Sequence, residues 1–177
     1  TKIGKTAFAL CKNLEKVTLG EKLTDVAYGA FQNCDKLSKV NLDHVTVIGD
    51  YAFAEDALGE LDLSGVDSIG EYAFCYNEEL TKVILSDGGV HIGEGAFSYC
   101  EALIDLQGEE NSPYIGDYSF AYTALTSVDL TKAQYIGTHA FYKESVTDFE
   151  AVIGSELSDI GDNPFANCII APLSSTK

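Results

Sequence analysis

Apolar positions recur along this chain on a beat set by phenylalanine. Phe8, Phe31, Phe53, Phe74, Phe97, Phe120, Phe141 and Phe165 lie 23, 22, 21, 23, 23, 21 and 24 residues apart. Ile-Gly opens seven of these units, from Ile3-Gly4 to Ile160-Gly161, and Val26-Ala27 stands in before Phe31. After Phe31 the apolar steps are Leu37, Val40 and Leu42, a Leu-x-x-Val-x-Leu string repeated as Leu14-Val17-Leu19 and Leu80-Val83-Leu85. Its Val-x-Leu end alternates apolar and polar residues, which predicts a half-buried strand. A shorter apolar pair before each Ile-Gly, such as Val45/Ile48 or Val66/Ile69, predicts a second short strand on the opposite side of the coil. A fixed period of roughly 20–30 residues denotes a solenoid, in which no unit buries its apolar face alone.

The remaining positions refine that unit. Between Gly and Leu, the Ala-Phe segment is too short for a stable α-helix and predicts a single α or 3₁₀ turn. Gly at a fixed place predicts either positive φ or a close approach by the next backbone. Three copies lack one residue and read Leu58-Leu61-Leu63, Leu125-Val128-Leu130 and Val146-Phe149-Ala151. Full-length copies carry Cys11, Cys34, Asn77 or Cys100 three residues after Phe, whereas the shortened ones carry Asp56, Thr123 and Glu144. We read the first set as small inward groups filling a wider turn, Asn77 bonding the loop backbone, and the shorter turn as having no such space. The loops that vary most are Ser86-Asp87-Gly88-Gly89 and Gln107 to Pro113. Pro164 replaces Ala in the last copy, and Ile169-Ile170-Ala171-Pro172-Leu173 reads as a strand-like fragment before a polar tail. No linker divides residues 1–177, so they form one domain. It begins inside a repeat and contains no methionine, as expected of a piece of a longer protein.

The formal charge is −17, from 28 acidic and 11 basic residues. That excludes nucleic acid, whose phosphates require clustered Lys and Arg, and disfavours anionic membrane surfaces. No apolar run approaches the roughly 18 residues of a membrane span. The five cysteines follow the repeat, which marks them as packing residues with free thiols, although stacking leaves a Cys11–Cys34 bridge geometrically conceivable.

Ile92-Gly93-Glu94-Gly95-Ala96-Phe97-Ser98-Tyr99-Cys100-Glu101-Ala102-Leu103 resembles, residue for residue, the first half of the repeat of the BspA-like leucine-rich repeat family. The resemblance covers nearly the whole chain; Val26-Ala27, Ser119 and Pro164 depart from it. It implies a leucine-rich repeat solenoid of the α/β class, rich in β structure. Its turns, about eight of 21–24 residues, would build a parallel sheet on the concave face. It further implies a bacterial or protozoan surface or secreted protein, some members of which adhere to host matrix proteins. The family supplies no shared catalytic residues.

With the scaffold positions assigned, the outward strand positions are the candidate concave binding face: Lys16, Lys39, Asp62, Lys82, Asp105, Asp129, Asp148 and Glu150. Lysines dominate the N-terminal half and carboxylates the C-terminal half. We expect Asp105, Asp129, Asp148 and Glu150 to lie within a few turns of each other. That arrangement is compatible with a solvated polar face, with docking of a basic partner, or with calcium, for which a flat ladder supplies few convergent oxygens. Tyr51, Tyr72 and Tyr118, two residues before Phe, and Tyr76, Tyr99 and Tyr122, two after it, form a candidate aromatic edge for a protein or a sugar. His44, His91 and His139 occupy unrelated repeat positions, and no metal spacing, nucleophile elbow or phosphate loop occurs. The expected function is therefore a non-enzymatic, cofactor-free adhesion module of a secreted or cell-surface bacterial protein. It would bind protein, such as a host extracellular protein, or glycan through the concave face without membrane insertion. A structural spacer, or an accessory domain of an enzyme lying outside this stretch, is the alternative.

Overall fold

The computed structural model describes residues 2–170, and within them strands alternate between two sides of a coil. One side carries β1 Lys2–Ile3, β3 Asp25–Val26, β5 Val47–Ile48, β7 Ser68–Ile69, β9 His91–Ile92, β11 Tyr114–Ile115, β13 Tyr135–Ile136 and β15 Asp159–Ile160. The other carries β2 Lys16–Thr18, β4 Lys39–Asn41, β6 Glu60–Asp62, β8 Lys82–Ile84, β10 Asp105–Gln107, β12 Ser127–Leu130, β14 Thr147–Ile153 and β16 Cys168–Ile170. All pairings are parallel, between equivalent strands of successive turns. The Ile-Gly strands join into one unbroken eight-stranded sheet, whereas the Val-x-Leu strands form three pieces, β2-β4, β6-β8-β10 and β12-β14-β16. The longer apolar string thus marks the interrupted side. One interruption coincides with the insertion after Gln107, which folds as the 3₁₀ helix η1 Glu109–Asn111 with Glu109 buried.

Phenylalanine occupies the centre of every turn. Phe31, Phe53, Phe74, Phe97, Phe120 and Phe141 are at most 1 % exposed. Their rings stack in one column, with neighbouring centroids 5.2–5.4 Å apart. Leu37, Leu58, Leu80, Leu103, Ile48, Ile69, Ile92 and Ile115 surround that column, all essentially inaccessible. At the ends of the described stack one neighbour is missing: Phe8 is 44 % exposed and Phe165 half-buried.

The Ala-Phe segment is a single hydrogen-bonded turn, as expected, and not part of a longer helix: Ser98 N–H donates to Gly95 O at 3.0 Å across Ala96 and Phe97. Among the described residues the 3₁₀ conformation occurs only in η1. In the fifth unit, Ala96 N–H donates to Gly93 O and Cys100 N–H to Phe97 O, both at 3.3 Å. The third residue of each turn, Gly95 or Tyr99, is left-handed at φ 57° and 59°. These are two successive turns of the type II kind, which require φ > 0 at that place. The turn across Ala96 and Phe97 does not use the Phe N–H, which is free to reach the next turn: Phe53 donates to Ala73 O, Phe74 to Ala96 O and Phe97 to Ser119 O, each at 2.8 Å.

The Ile-Gly glycines resolve the other expectation in favour of close approach. None of them has a left-handed φ; a Cβ on Gly93 would lie 2.7 Å from the carbonyl carbon of Gly70, and one on Gly116 2.6 Å from that of Gly93. Gly4, in the first described turn, meets nothing within 4 Å.

The position three residues after Phe is an inward polar column. Asn77 is fully buried, its Nδ2 donating to Phe53 O and Phe74 O at 2.8 and 2.9 Å and its Oδ1 accepting from Leu58 N–H at 3.1 Å. Cys34 and Cys100 donate through sulfur to Phe8 O and Phe74 O, both at 3.2 Å. All five thiols are free. Contrary to the sequence expectation, the shortened copies also point a polar group inward: Asp56 and Thr123 are each 6 % exposed. In the seventh copy Lys143 does so instead of Glu144, its Nζ donating to Thr123 O at 2.8 Å.

The seventh copy also breaks frame. β14 pairs with β12 two residues out of the expected register, placing Ala151 opposite Val128 and Glu150 opposite Ser127. Val146 is accordingly 67 % exposed, and Phe149 is buried against the Phe141 and Phe165 rings. In the last copy Cys168–Ile170 is a strand as expected, while Ala171-Pro172-Leu173 lies outside the described residues.

Two measurements check this packing. Gly93→Ala forces a Cβ against backbone and should destabilise by about 1–3 kcal/mol, whereas Gly4→Ala should stay within about 0.5 kcal/mol in denaturant melts. Burial pushes the Asp56 carboxyl up to about 8, against the hydrogen bond from Cys34 N–H. The folded state therefore holds this proton more tightly than the unfolded chain, and stability falls as pH rises from the ordinary carboxylate range through about 8. Asp56→Asn should raise the melting temperature at pH 8 and give a gain that vanishes towards pH 4; a pH-independent gain contradicts the assignment.

Candidate functional site

Within each piece of the Val-x-Leu side, outward side chains meet those of the paired strand one turn away. Lys16 and Lys39 stand directly opposite one another, both exposed, with no ion pair among the described residues. In the next piece Lys82 lies between Glu60 and Asp105 in register, its Nζ 3.2 Å from Asp105 Oδ2. The Gln107 amide, at 3.1 Å from both carboxylate oxygens, and then Lys82 hold the Asp105 carboxyl below its usual range. Asp62 and Asp129 are engaged locally: Asp62 Oδ1 accepts from Ser64 N–H at 3.0 Å, and Asp129 Oδ1 from Thr131 N–H at 2.9 Å and from its hydroxyl.

The expected acidic cluster is therefore assembled only in part: Asp129 and Glu150 are diagonal neighbours on β12 and β14, and Asp148 lies two residues from Glu150 on the same strand face. Asp105 and Asp129 belong to different sheet pieces, on either side of the insertion that carries η1. The two-residue shift puts Glu150 in the Ser127 column and Asp148 opposite Ile169. What remains is an exposed lysine pair at one end, a neutralised Lys82–Asp105 pair in the middle, and exposed, unpaired Asp148 and Glu150 at the other end, among the described residues.

The six tyrosines do stack at an edge. Tyr51 lies on Tyr72 at 5.2 Å, Tyr76 on Tyr99 at 4.5 Å and Tyr99 on Tyr122 at 4.2 Å, while Tyr118 faces His139 at 5.1 Å. All six occupy the left-handed region, at φ 53–60°. That conformation costs an L-residue about 1–2 kcal/mol, an amount of the same order as ring stacking returns. These rings thus offset the strain of the turns that carry them, and Tyr76, which ends its column at 45 % exposed, is the one most open to a partner.

A third aromatic column escaped the sequence reading. His91, Tyr114 and Tyr135, each just before an Ile-Gly, stack at 4.2 and 4.7 Å on the unbroken sheet. They flank Asp50, Glu71, Glu94 and Asp117, which follow the glycines, in a groove of about 300 Å³. Phenols hydrogen-bond part of that acidic row: Tyr72 donates to Glu94, and Tyr135 to Asp117 at 3.0 Å. Burial, then the bond to Asp117, pushes the Tyr135 hydroxyl up to about 12. Fixed offsets from Ile-Gly made both columns visible in sequence; the reading centred on Phe did not tabulate them.

Burial shifts the buried ionisable groups towards their neutral forms. Burial pushes the Cys34 thiol up to about 11 and Cys75 up to about 12, away from the thiolate a nucleophile needs. Burial likewise draws the Lys143 ammonium down to about 8, where it sits 5.2 Å from the centre of the Phe149 ring. Among the described residues no three His, Cys, Asp or Glu side chains converge on a metal position, and no helix is long and apolar enough to cross a membrane.

Similarity to known proteins agrees with this architecture. The family model for the BspA type leucine rich repeat region matches in six copies, over residues 1–74 and 46–171. No curated protein matches the chain. A solved leucine-rich repeat protein from Bacteroides ovatus is similar at 20% identity and a TM-score of 0.53, covering 90% of this chain and 55% of its own. The leucine-rich repeat protein of T. pallidum has 24% identity and a TM-score of 0.53, covering 68% of this chain and 69% of its own. The pneumococcal vaccine antigen PcpA has 15% identity and a TM-score of 0.55, covering 94% of this chain and 54% of its own. The chain thus spans about half the length of the first and third of these proteins. At such identities the structures establish a shared fold, and the family match, extending over nearly all of the sequence, establishes that the chain belongs to the BspA-type leucine-rich repeat family.

Proposed function

We propose that this chain is a non-catalytic protein-binding module of a secreted or cell-surface bacterial protein, acting in adhesion through the face of its Val-x-Leu strands. One observation carries the reading. That face leaves Lys16 and Lys39 unpaired at one end and Asp148 and Glu150 unpaired at the other, with a neutralised Lys82–Asp105 pair between them. Like charges held opposite each other cost roughly 0.2–1 kcal/mol per pair, and a partner of complementary polarity relieves that cost. Such a face orients its partner along the stack, because reversing the partner sets like charges together. Membership of a leucine-rich repeat family, whose members are interaction or structural modules, supports the same reading. A structural neighbour described as a vaccine antigen is consistent with exposure at the cell surface.

The test compares the natural chain with Lys16→Glu/Lys39→Glu and Asp148→Lys/Glu150→Lys variants against a panel of extracellular matrix proteins by biolayer interferometry. For at least one ligand each double reversal should weaken binding by about tenfold or more, through the off-rate as well as the on-rate. Binding that survives both reversals rules out this face. Binding to no member of the panel favours the structural spacer.

A further inference from the structure

Asp56 is the buried carboxyl of the polar column that follows Phe. Its neighbours there, Cys34, Asn77, Cys100 and Thr123, each donate a proton to a backbone carbonyl. An ionised carboxylate has none to donate. Asp56 Oδ1 accepts from Cys34 N–H at 2.8 Å, whereas the equivalent N–H groups of Cys11 and Cys100 bond to Phe8 O and Phe97 O. Oδ2 has no hydrogen-bond partner, although the residue is only 6 % exposed. Buried polar atoms without a partner are rare in native proteins, and each calls for a cause.

Asp56 lines an open pocket of about 520 Å³ together with Asp35, Glu55, Ala57, Tyr76, Glu78 and Glu79. No Lys or Arg lines it; Lys12, the cation beside it, is bound to Asp35 at 2.6 Å. The Tyr76 ring, 45 % exposed, opens the aromatic column at this edge.

We propose that this pocket is a binding site for a guanidinium group, the arginine side chain of a partner protein. A guanidinium presents five N–H donors in a planar fork, enough to bond the ionised Asp56 carboxylate and the rim carboxylates together. Its plane also stacks on an exposed aromatic ring, which Tyr76 provides. A divalent cation fits less well, since calcium requires six to eight convergent oxygens and no three metal-ligating side chains converge among the described residues. An ammonium carries three donors and no plane to stack.

The groups facing Asp56 are Cys34 N–H, Asp35, Glu55 and Lys12, with Glu78, Glu79 and Tyr76 lining the pocket beside it. Burial holds the Asp56 proton up to about 8, and a guanidinium binds the ionised form, so affinity rises with pH through that range. The pocket is lined by turn residues and not by the Val-x-Leu face. The inference rests on the protein-binding reading for the source of the arginine alone. Guanidinium binding is measured without a partner, so the two readings fail separately.

The experiment titrates the full chain with methylguanidinium and follows amide ¹⁵N–¹H shifts, the Cys34 N–H reporting directly on the Asp56 carboxylate. Saturable shifts at Cys34, Ala57 and Tyr76 are expected, tightening by about tenfold between about pH 6.5 and pH 8. Tetramethylammonium, with the same charge and no N–H, should leave these amides unmoved. In Asp56→Asn, whose remaining spectrum checks the fold, the saturable component and its pH dependence should disappear. An equal response to tetramethylammonium, an unchanged response in Asp56→Asn, or no saturable shift with methylguanidinium overturns the proposal.

Discussion

In-register hydrogen bonding between successive turns is the constraint from which the rest of this molecule follows. Around each Phe, three N–H groups two residues apart bond to the same three places in the next turn. Tyr72, Phe74 and Tyr76 donate to Glu94, Ala96 and Ser98, and Gly95, Phe97 and Tyr99 to Asp117, Ser119 and Ala121. The Ile-Gly sheet adds a second set of bonds on the other side of the coil. Registration at both places turns each repeat position into a column, so chemistry placed once per repeat becomes a continuous stripe. It also sets how near the turns lie, which leaves no space for a Cβ at Gly93 or Gly116.

The same constraint explains features that look unrelated. The ladder around Phe demands left-handed backbone two residues before and two after it, an expensive conformation for tyrosine. Stacking those tyrosines on each other recovers part of that cost, which is why aromatic columns sit on the turns. Inside, the residue three after Phe faces the carbonyl of an earlier turn, so this column selects small donors: Cys, Asn, Thr. Asp56 breaks that rule and remains incompletely satisfied. Lys143 answers the same demand from a different position, reaching Thr123 O across the turn.

The sequence displayed the fold because core residues repeat: Phe, the Leu-x-x-Val-x-Leu string and Ile-Gly each fix an inward column. The turn conformation was also written there. Gly29, Gly95, Asn33, Asn163 and Asn167 share the tyrosine columns, and Gly and Asn are the residues that tolerate positive φ. Reading the segment as one isolated turn missed its left-handed flanks because six tyrosines and other bulky residues occupy the same columns. The binding face was less legible. Spacing assigned Asp148 to one column, but β14 pairs two residues out of frame, and nothing local distinguishes Val146 as an exposed residue from Val146 as a core one. Nor does spacing report pairing: Lys82 and Asp105 appear as opposite ends of a charge gradient in sequence and as one ion pair in space.

The most direct test of in-register stacking is native-state amide hydrogen exchange at the Phe column. The Phe53, Phe74, Phe97 and Phe120 N–H groups, bonded to the next turn and flanked on both sides, should exchange through global unfolding, with opening free energies equal to that from denaturant melts. Protection should decline at Phe8, whose ring is covered on one side only. Central Phe amides that exchange as fast as those of exposed loops, or faster than Phe8, would contradict the account.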